Sequence, residues 1–189
     1  MGYFVGLELS ENNRAKAKTA PEIIVTEFPE VSWLSENQLF CVIAYCPAEQ
    51  LGADRAKQAL EEIGANVAPF ALTLDRVGCF PAEGPARVAW LGIRELDPQR
   101  GMLVRLLEQT QRTLSKYFPI KDQLIPHVPL GRASDRAPKK DLRKFANRIR
   151  CEGDPQEVTR VVLVESSKGH KGLNYKIIGS AELSAQFWG

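Results

Sequence analysis

The sequence predicts an α+β fold built from two similar halves, and three observations carry that prediction. Segments 3–9, 39–46, 70–77, 87–93, 125–130, 158–166 and 174–178 are rich in β-branched and aromatic residues and bounded by turn formers. Stretches between them repeat their apolar residues at three and four positions, the period of a helix with one buried stripe. Strand, helix, strand, strand then recurs about 87 residues on. Phe40 to Phe70 is 30 positions and His127 to Val158 is 31, while Phe40 to Ala86 is 46 and His127 to Asn174 is 47. The simplest account is a single bilobal domain over 1–189 with intertwined lobes, whose two antiparallel sheets are related by a pseudo-twofold axis, face a central cleft and carry helices outside.

Each element has a local reason. Residues 48–63 put Leu51, Ala56, Leu60 and Ile63 on one stripe, and Gly64 reads as the C-terminal cap. Asp97 and Pro98 read as the opening of a helix to about Tyr117, with Leu103, Leu106, Leu107 and Leu114 inward and Pro119 as its stop. A third helix starts near Pro138 and turns Leu142, Phe145, Ala146 and Ile149 inward. The pattern over 11–28 is weaker and Pro21 interrupts it, which predicts a short or broken helix.

Composition bounds the function. With 25 Lys and Arg against 23 Asp and Glu, the net charge of +2 is too small for nucleic-acid binding through the field of the whole molecule. No run of about 18 apolar residues marks a membrane span, and the N-terminal stretch lacks a basic segment followed by an apolar one, so a cytoplasmic location without membrane partners is expected. Cys41, Cys46, Cys79 and Cys151 form no CxxC pair and read as buried free thiols. Cys41 and Cys46, five apart in a strand, are expected on opposite faces. His127 and His170 are the two histidines, which makes a metal site a poor expectation. No glycine-rich loop opens a helix, which argues against a nucleotide triphosphatase, and no cofactor is expected. Trp33 and Trp90 read as core; the sequence sets no oligomeric state.

Two strands, 39–46 and 125–132, carry the chemistry. The first reads Phe40, Cys41, Val42, Ile43; the second Pro126, His127, Val128, Pro129, Leu130, Gly131, Arg132. On the residues alone, His127 is either a hydrogen-bonded core histidine or a cleft residue. With the opening strand YFVGLEL, Trp33 seven residues before the first motif, and the closing VVLVESSKGHKGLNYKIIG, nearly the whole chain resembles the two-histidine (2H) phosphoesterases, specifically the RNA 2′,3′-cyclic phosphodiesterases or 2′-5′ RNA ligase-like proteins.

The resemblance implies that both motifs, HxTL and PHxTLxR in the family, meet in the cleft. One histidine activates water, the other protonates the departing ribose oxygen, and threonines two residues on share their face and hold phosphate oxygens. Here Phe40 takes the first histidine's place, Val42 its threonine's and Pro129 the second threonine's, while His127 and Arg132 keep the family residues. One missing acid or base costs about 10² to 10⁴ in rate, so little or no catalysis is expected. The implied function is binding of RNA ends or a nucleotide in a remnant cleft. The alternative is an active phosphodiesterase that opens cyclic phosphates to 2′-phosphates with His127.

Between Arg132 and Arg150 lie eight basic and two acidic residues. This run reads either as the solvated face of a helix or as a track for an RNA backbone through Lys139, Lys140, Arg143 and Lys144. Phe40 reads as a filler that closes the cleft or as a stacking platform for a base. His170, in a loop, is a candidate stand-in for the missing histidine.

Overall fold

The computed structural model describes residues 2–120, 123–133, 140–146, 148–169 and 172–186. Its strands are β1 (Gly2–Glu8), β2 (Val31–Trp33), β3 (Phe40–Pro47), β4 (Phe70–Phe80), β5 (Val88–Glu95), β6 (His127–Ala133), β7 (Gln156–Val158), β8 (Arg160–Gly169) and β9 (Gly172–Glu182). The helices are α1 (Glu11–Thr19), α2 (Glu22–Val25), α3 (Ala53–Ala65), α4 (Met102–Leu114) and α5 (Leu142–Ala146), with a 3-10 turn at Glu36–Gln38.

The two expected antiparallel sheets are present as two halves of one curled sheet. Its order is β7-β4-β5-β6-β3-β1-β8-β9, with β2 beside β6. The halves meet where β3 and β6 share a single residue pair, Val42 with His127. The two motif strands therefore lie side by side at the centre. Each motif strand extends the hairpin from the other repeat, β6 beside β4–β5 and, through β1, β3 in the half that holds β8–β9.

The main core fills the space between one face of the sheet and the helices. Leu51, Leu60 and Ile63 of the α3 region and Leu106 and Leu114 of α4 are at most 1% exposed in it. Leu142 and Ala146 of α5, with Ile149 beyond it, are buried as their spacing predicts. A second, smaller cluster of Phe4, Phe40, Val42, Val162 and Val164, with Tyr175 against it, forms separately.

Two helix ends differ from expectation. α4 begins at Met102, five residues after Asp97, because the buried Glu95 carboxylate at the end of β5 accepts from the amides of Met102 and Leu103, each at 3.0 Å. An anion at that end satisfies two donors the helix cannot pair internally and sits at the positive end of its dipole. Gly64 is inside α3, not its cap; a Cβ there would come within 2.6 Å of the Glu182 carbonyl, so the glycine lets α3 lie directly on β9. The broken helix over 11–28 is present as α1 and α2, parted at Pro21.

Candidate functional site in the cleft

Strand parity alone would send residues five apart to opposite faces, but both motif strands contain one extra residue. On β3, Ala44 pairs with Val5 and Val42 with Gly6, so Ile43 is skipped; on β6, Gly131 pairs with Ala89 and Pro129 with Trp90, so Leu130 is skipped. A bulge reverses parity beyond it. Arg132 thus shares a face with His127 and Pro129, and Tyr45 shares one with Phe40 and Val42. The same bulge corrects the expectation for the thiols: Cys41 and Cys46 both lie in the main core rather than on opposite faces, and burial pushes both up, Cys46 to about 12.

Phe40 and Val42 are 8% and 2% exposed. The Phe40 ring meets Phe4 edge-on at 6.0 Å and Tyr175 at 6.3 Å. Phe40 therefore fills an aromatic seat and offers no group that exchanges a proton.

His127 lies on the adjacent strand, paired with Val42. Its ring meets Phe80 at 5.0 Å and Trp90 at 5.9 Å, both edge-on. Trp90 corrects the expectation of a core tryptophan: its indole lies across Gly78, where a Cβ would collide with it, and beside the histidine, whereas Trp33 packs on the main core. Nδ1 of His127 is 2.7 Å from the Ile125 carbonyl. As the donor in that bond, Nδ1 carries the proton and Nε2 is left with its lone pair. Burial lowers the proton affinity of the ring, against the raising effect of the Ile125 carbonyl, so the imidazole is neutral near pH 7.

A pocket of about 720 Å³ lies beside the Val42–His127 pair and is lined by both residues. Val42, Tyr45, Phe80, Phe118, Leu124 and His127 are among its walls. The volume suits a ligand of nucleotide size. Pro129 and Arg132 lie further along β6, and Arg132 makes no side-chain hydrogen bond or ion pair among the described residues.

The basic run is partly committed to the fold. Lys140 and Arg148 pair with Glu27 at 3.4 and 2.7 Å, and Arg143 donates to the carbonyls of Pro81 and Gly84, each at 2.9 Å. Lys144 is exposed. Lys139 and His170 lie outside the described residues. Among the described residues no three His, Cys, Asp or Glu side chains are grouped to hold a metal, and no helix is long and apolar enough to cross a membrane.

Tyr45 escaped the sequence reading, and the 87-residue offset that relates Phe40 to His127 would have found it, since the same offset takes Tyr45 to Arg132. Tyr175 carried no such signal.

Comparison with known proteins agrees with this geometry. The family model described as the 2'-5' RNA ligase superfamily matches residues 40–170. The RNA 2',3'-cyclic phosphodiesterase of Archaeoglobus fulgidus is 27% identical over 144 residues, 74% of this chain and 76% of its own. That of Thermotoga maritima is 22% identical over 136 residues, 70% of each chain. TT0787 of Thermus thermophilus superposes with a TM-score of 0.72 at 23% identity, covering 97% of this chain and 98% of its own. LigT of E. coli, complexed with 3'-AMP, gives 0.69 at 20% identity, with the same coverage. The solved structures share the fold, and the match over both motif strands, which meet at the cleft, shows that the chain belongs to the 2'-5' RNA ligase superfamily.

Proposed function

We propose that this chain binds an RNA end or a nucleotide in its cleft, with little or no turnover of a cyclic phosphate. The observation that carries the reading is the buried phenyl ring of Phe40 on the strand paired with that of His127, read as standing in the seat of the first histidine. Opening a 2′,3′-cyclic phosphate requires a base for water and an acid for the leaving ribose oxygen in one transition state, and one imidazole cannot be both at once. Val42 and Pro129 add no hydroxyl to hold the phosphate. Binding needs less, and a pocket of adequate volume with an imidazole acceptor on its wall supports it. A relative crystallised with 3'-AMP suggests the probe. The four free thiols suit a cytoplasmic setting.

The second reading, a working phosphodiesterase, has one observation in its favour. The Ile125 carbonyl holds His127 in the tautomer whose Nε2 can accept a proton. Titration calorimetry with 3′-AMP, alongside a turnover assay on 2′,3′-cyclic AMP, separates the two. The proposal expects binding without turnover. Turnover that His127→Ala abolishes establishes the second reading instead, and the absence of both binding and turnover removes the two together.

A further inference from the structure

The turn between β4 and β5 forms one rim of the pocket, and little inside the turn sets its shape. Residues 81–85 are all exposed, and among the described residues no backbone–backbone hydrogen bond lies within 81–86. The Arg87 amide donates to the Phe80 carbonyl at 2.7 Å and closes only its base. Two further bonds reach the turn from outside: Nη2 of Arg143 donates to the carbonyls of Pro81 and Gly84, each at 2.9 Å. Arg143 acts from a fixed base, because Leu142 beside it is fully buried and its own amide donates to Oδ1 of Asp141 at 3.1 Å. What the turn carries faces the cleft. Phe80 pairs with Val88, which pairs with Arg132 on the face of His127. Its ring lies 5.0 Å from both Trp90 and His127, and Pro81 and Ala82 follow it along the pocket wall.

We infer that Arg143 is a positioning residue of the cleft: by holding the β4–β5 turn it sets the Phe80 ring against His127 and fixes the rim that Pro81 and Ala82 form. Phe80 is the last paired residue of β4, so the sheet fixes its backbone on one side and the turn fixes it on the other. A guanidinium that bonds two carbonyls three residues apart fixes the span between them, and those carbonyls have no ladder partner to do so. Arg143 does not itself line the pocket, so it works through the turn and not by touching a ligand. A rim set in advance leaves less to order when a ligand enters. The inference concerns the wall and does not depend on which ligand the pocket takes.

The test uses the full chain as wild type, Arg143→Met, Arg143→Lys and, as a control, Lys116→Met, which removes an ion pair to Glu62 outside the pocket. Proton NMR of the His127 imidazole, its signals identified by their loss in His127→Gln, reports the aromatic rings around it, because a nearby ring displaces such signals. Arg143→Met is expected to move them. Arg143→Lys, whose ammonium reaches one carbonyl in place of two, should move them less, and Lys116→Met should leave them in place. Affinity for 3′-AMP should fall roughly three- to tenfold in Arg143→Met, the size of one ordinary hydrogen bond. His127 signals that coincide in Arg143→Met and wild type, or that Lys116→Met moves as far, overturn the inference. Affinity for 3′-AMP in Arg143→Met within about twofold of wild type overturns it too. Failure of wild type to bind 3′-AMP removes the cleft-binding reading alone, and the His127 signals then decide this inference by themselves.

Discussion

Truncating Phe40 to alanine distinguishes a cleft filler from a stacking platform. Removing a buried phenyl ring typically costs about 3–5 kcal/mol, as lost transfer energy and a residual cavity. Phe40 belongs to a cluster of five buried residues and keeps 8% of its surface in water, which places the expected loss near the low end, about 3 kcal/mol. For a chain of this size each kcal/mol shifts Tm by about 2–4 °C, so Tm should fall by about 6–12 °C. Phe40→His tests the same seat from another direction. It leaves a polar ring among Phe4, Val42, Val162 and Val164, which offer no side-chain hydrogen bond, with the Tyr175 ring at 6.3 Å as a polar neighbour, at an expected cost of about 1–3 kcal/mol. It should restore no turnover, because Val42 and Pro129 still lack hydroxyls. Calorimetric melting with a cyclic phosphate assay reads all of this. A Phe40→Ala protein that melts within about 2 °C of wild type, a loss of only about 1 kcal/mol, yet binds nucleotide far more weakly, would refute the filler and make the ring a base platform.

Glu95→Ala removes the acceptor for the Met102 and Leu103 amides and should cost about 2–4 kcal/mol in urea unfolding, with Glu95→Gln losing less because one carbonyl oxygen remains. His127 is neutral in the fold at a pH where the unfolded chain begins to take up a proton, so the unfolded state binds more protons and stability rises with pH. That contribution is complete above the ordinary histidine value of 6.5 and is lost as the pH falls toward the lowered value in the fold; urea midpoints from pH 7.5 to 5 should fall more steeply for wild type than for His127→Gln. Arg143→Met loses the bonds to Pro81 and Gly84 and should lower Tm by about 2–4 °C, the size of about 1 kcal/mol. If its role is to hold that turn, the salt dependence of short-RNA binding, followed by anisotropy, stays as in wild type.

What the sequence made legible follows from what its patterns report. Periodicity marks which residues face the core, so β3, α3 and α5 were readable from Phe40, Leu60 and Leu142. Their spacing exposed the repeat, because the strand, helix, strand, strand unit recurs with nearly constant offsets. Parity arguments failed where a bulge added a residue. Neither Ile43 nor Leu130 differs in type from an ordinary strand residue, so the shared face of Cys41 and Cys46, and the turning of Tyr45 toward Phe40, could not be read locally. The start of α4 was missed for another reason. Asp97 and Pro98 form a plausible local cap, but Glu95, which the sheet delivers to the helix end, holds it at Met102. Short edge strands such as β7 are set by pairing with β4 and leave too few residues for a pattern.

The two central strands carry residues of opposite chemical character at positions related by the 87-residue offset. On β3 the three equivalent seats hold Phe40, Val42 and Tyr45; on β6 they hold His127, Pro129 and Arg132. Phe40 and Val42 of the first set belong to the second hydrophobic cluster, so a polar residue at either position would disturb packing. In the second set, the aromatic walls lower the proton affinity of His127 and leave Arg132 as the positive charge of that trio near neutral pH. If a nucleotide binds beside a neutral His127, its affinity should be flat between pH 6.5 and 8, measured with 3′-AMP at constant ionic strength. An anion anchored instead by a cationic His127 would bind progressively more weakly across that same range, because the imidazole loses its proton there.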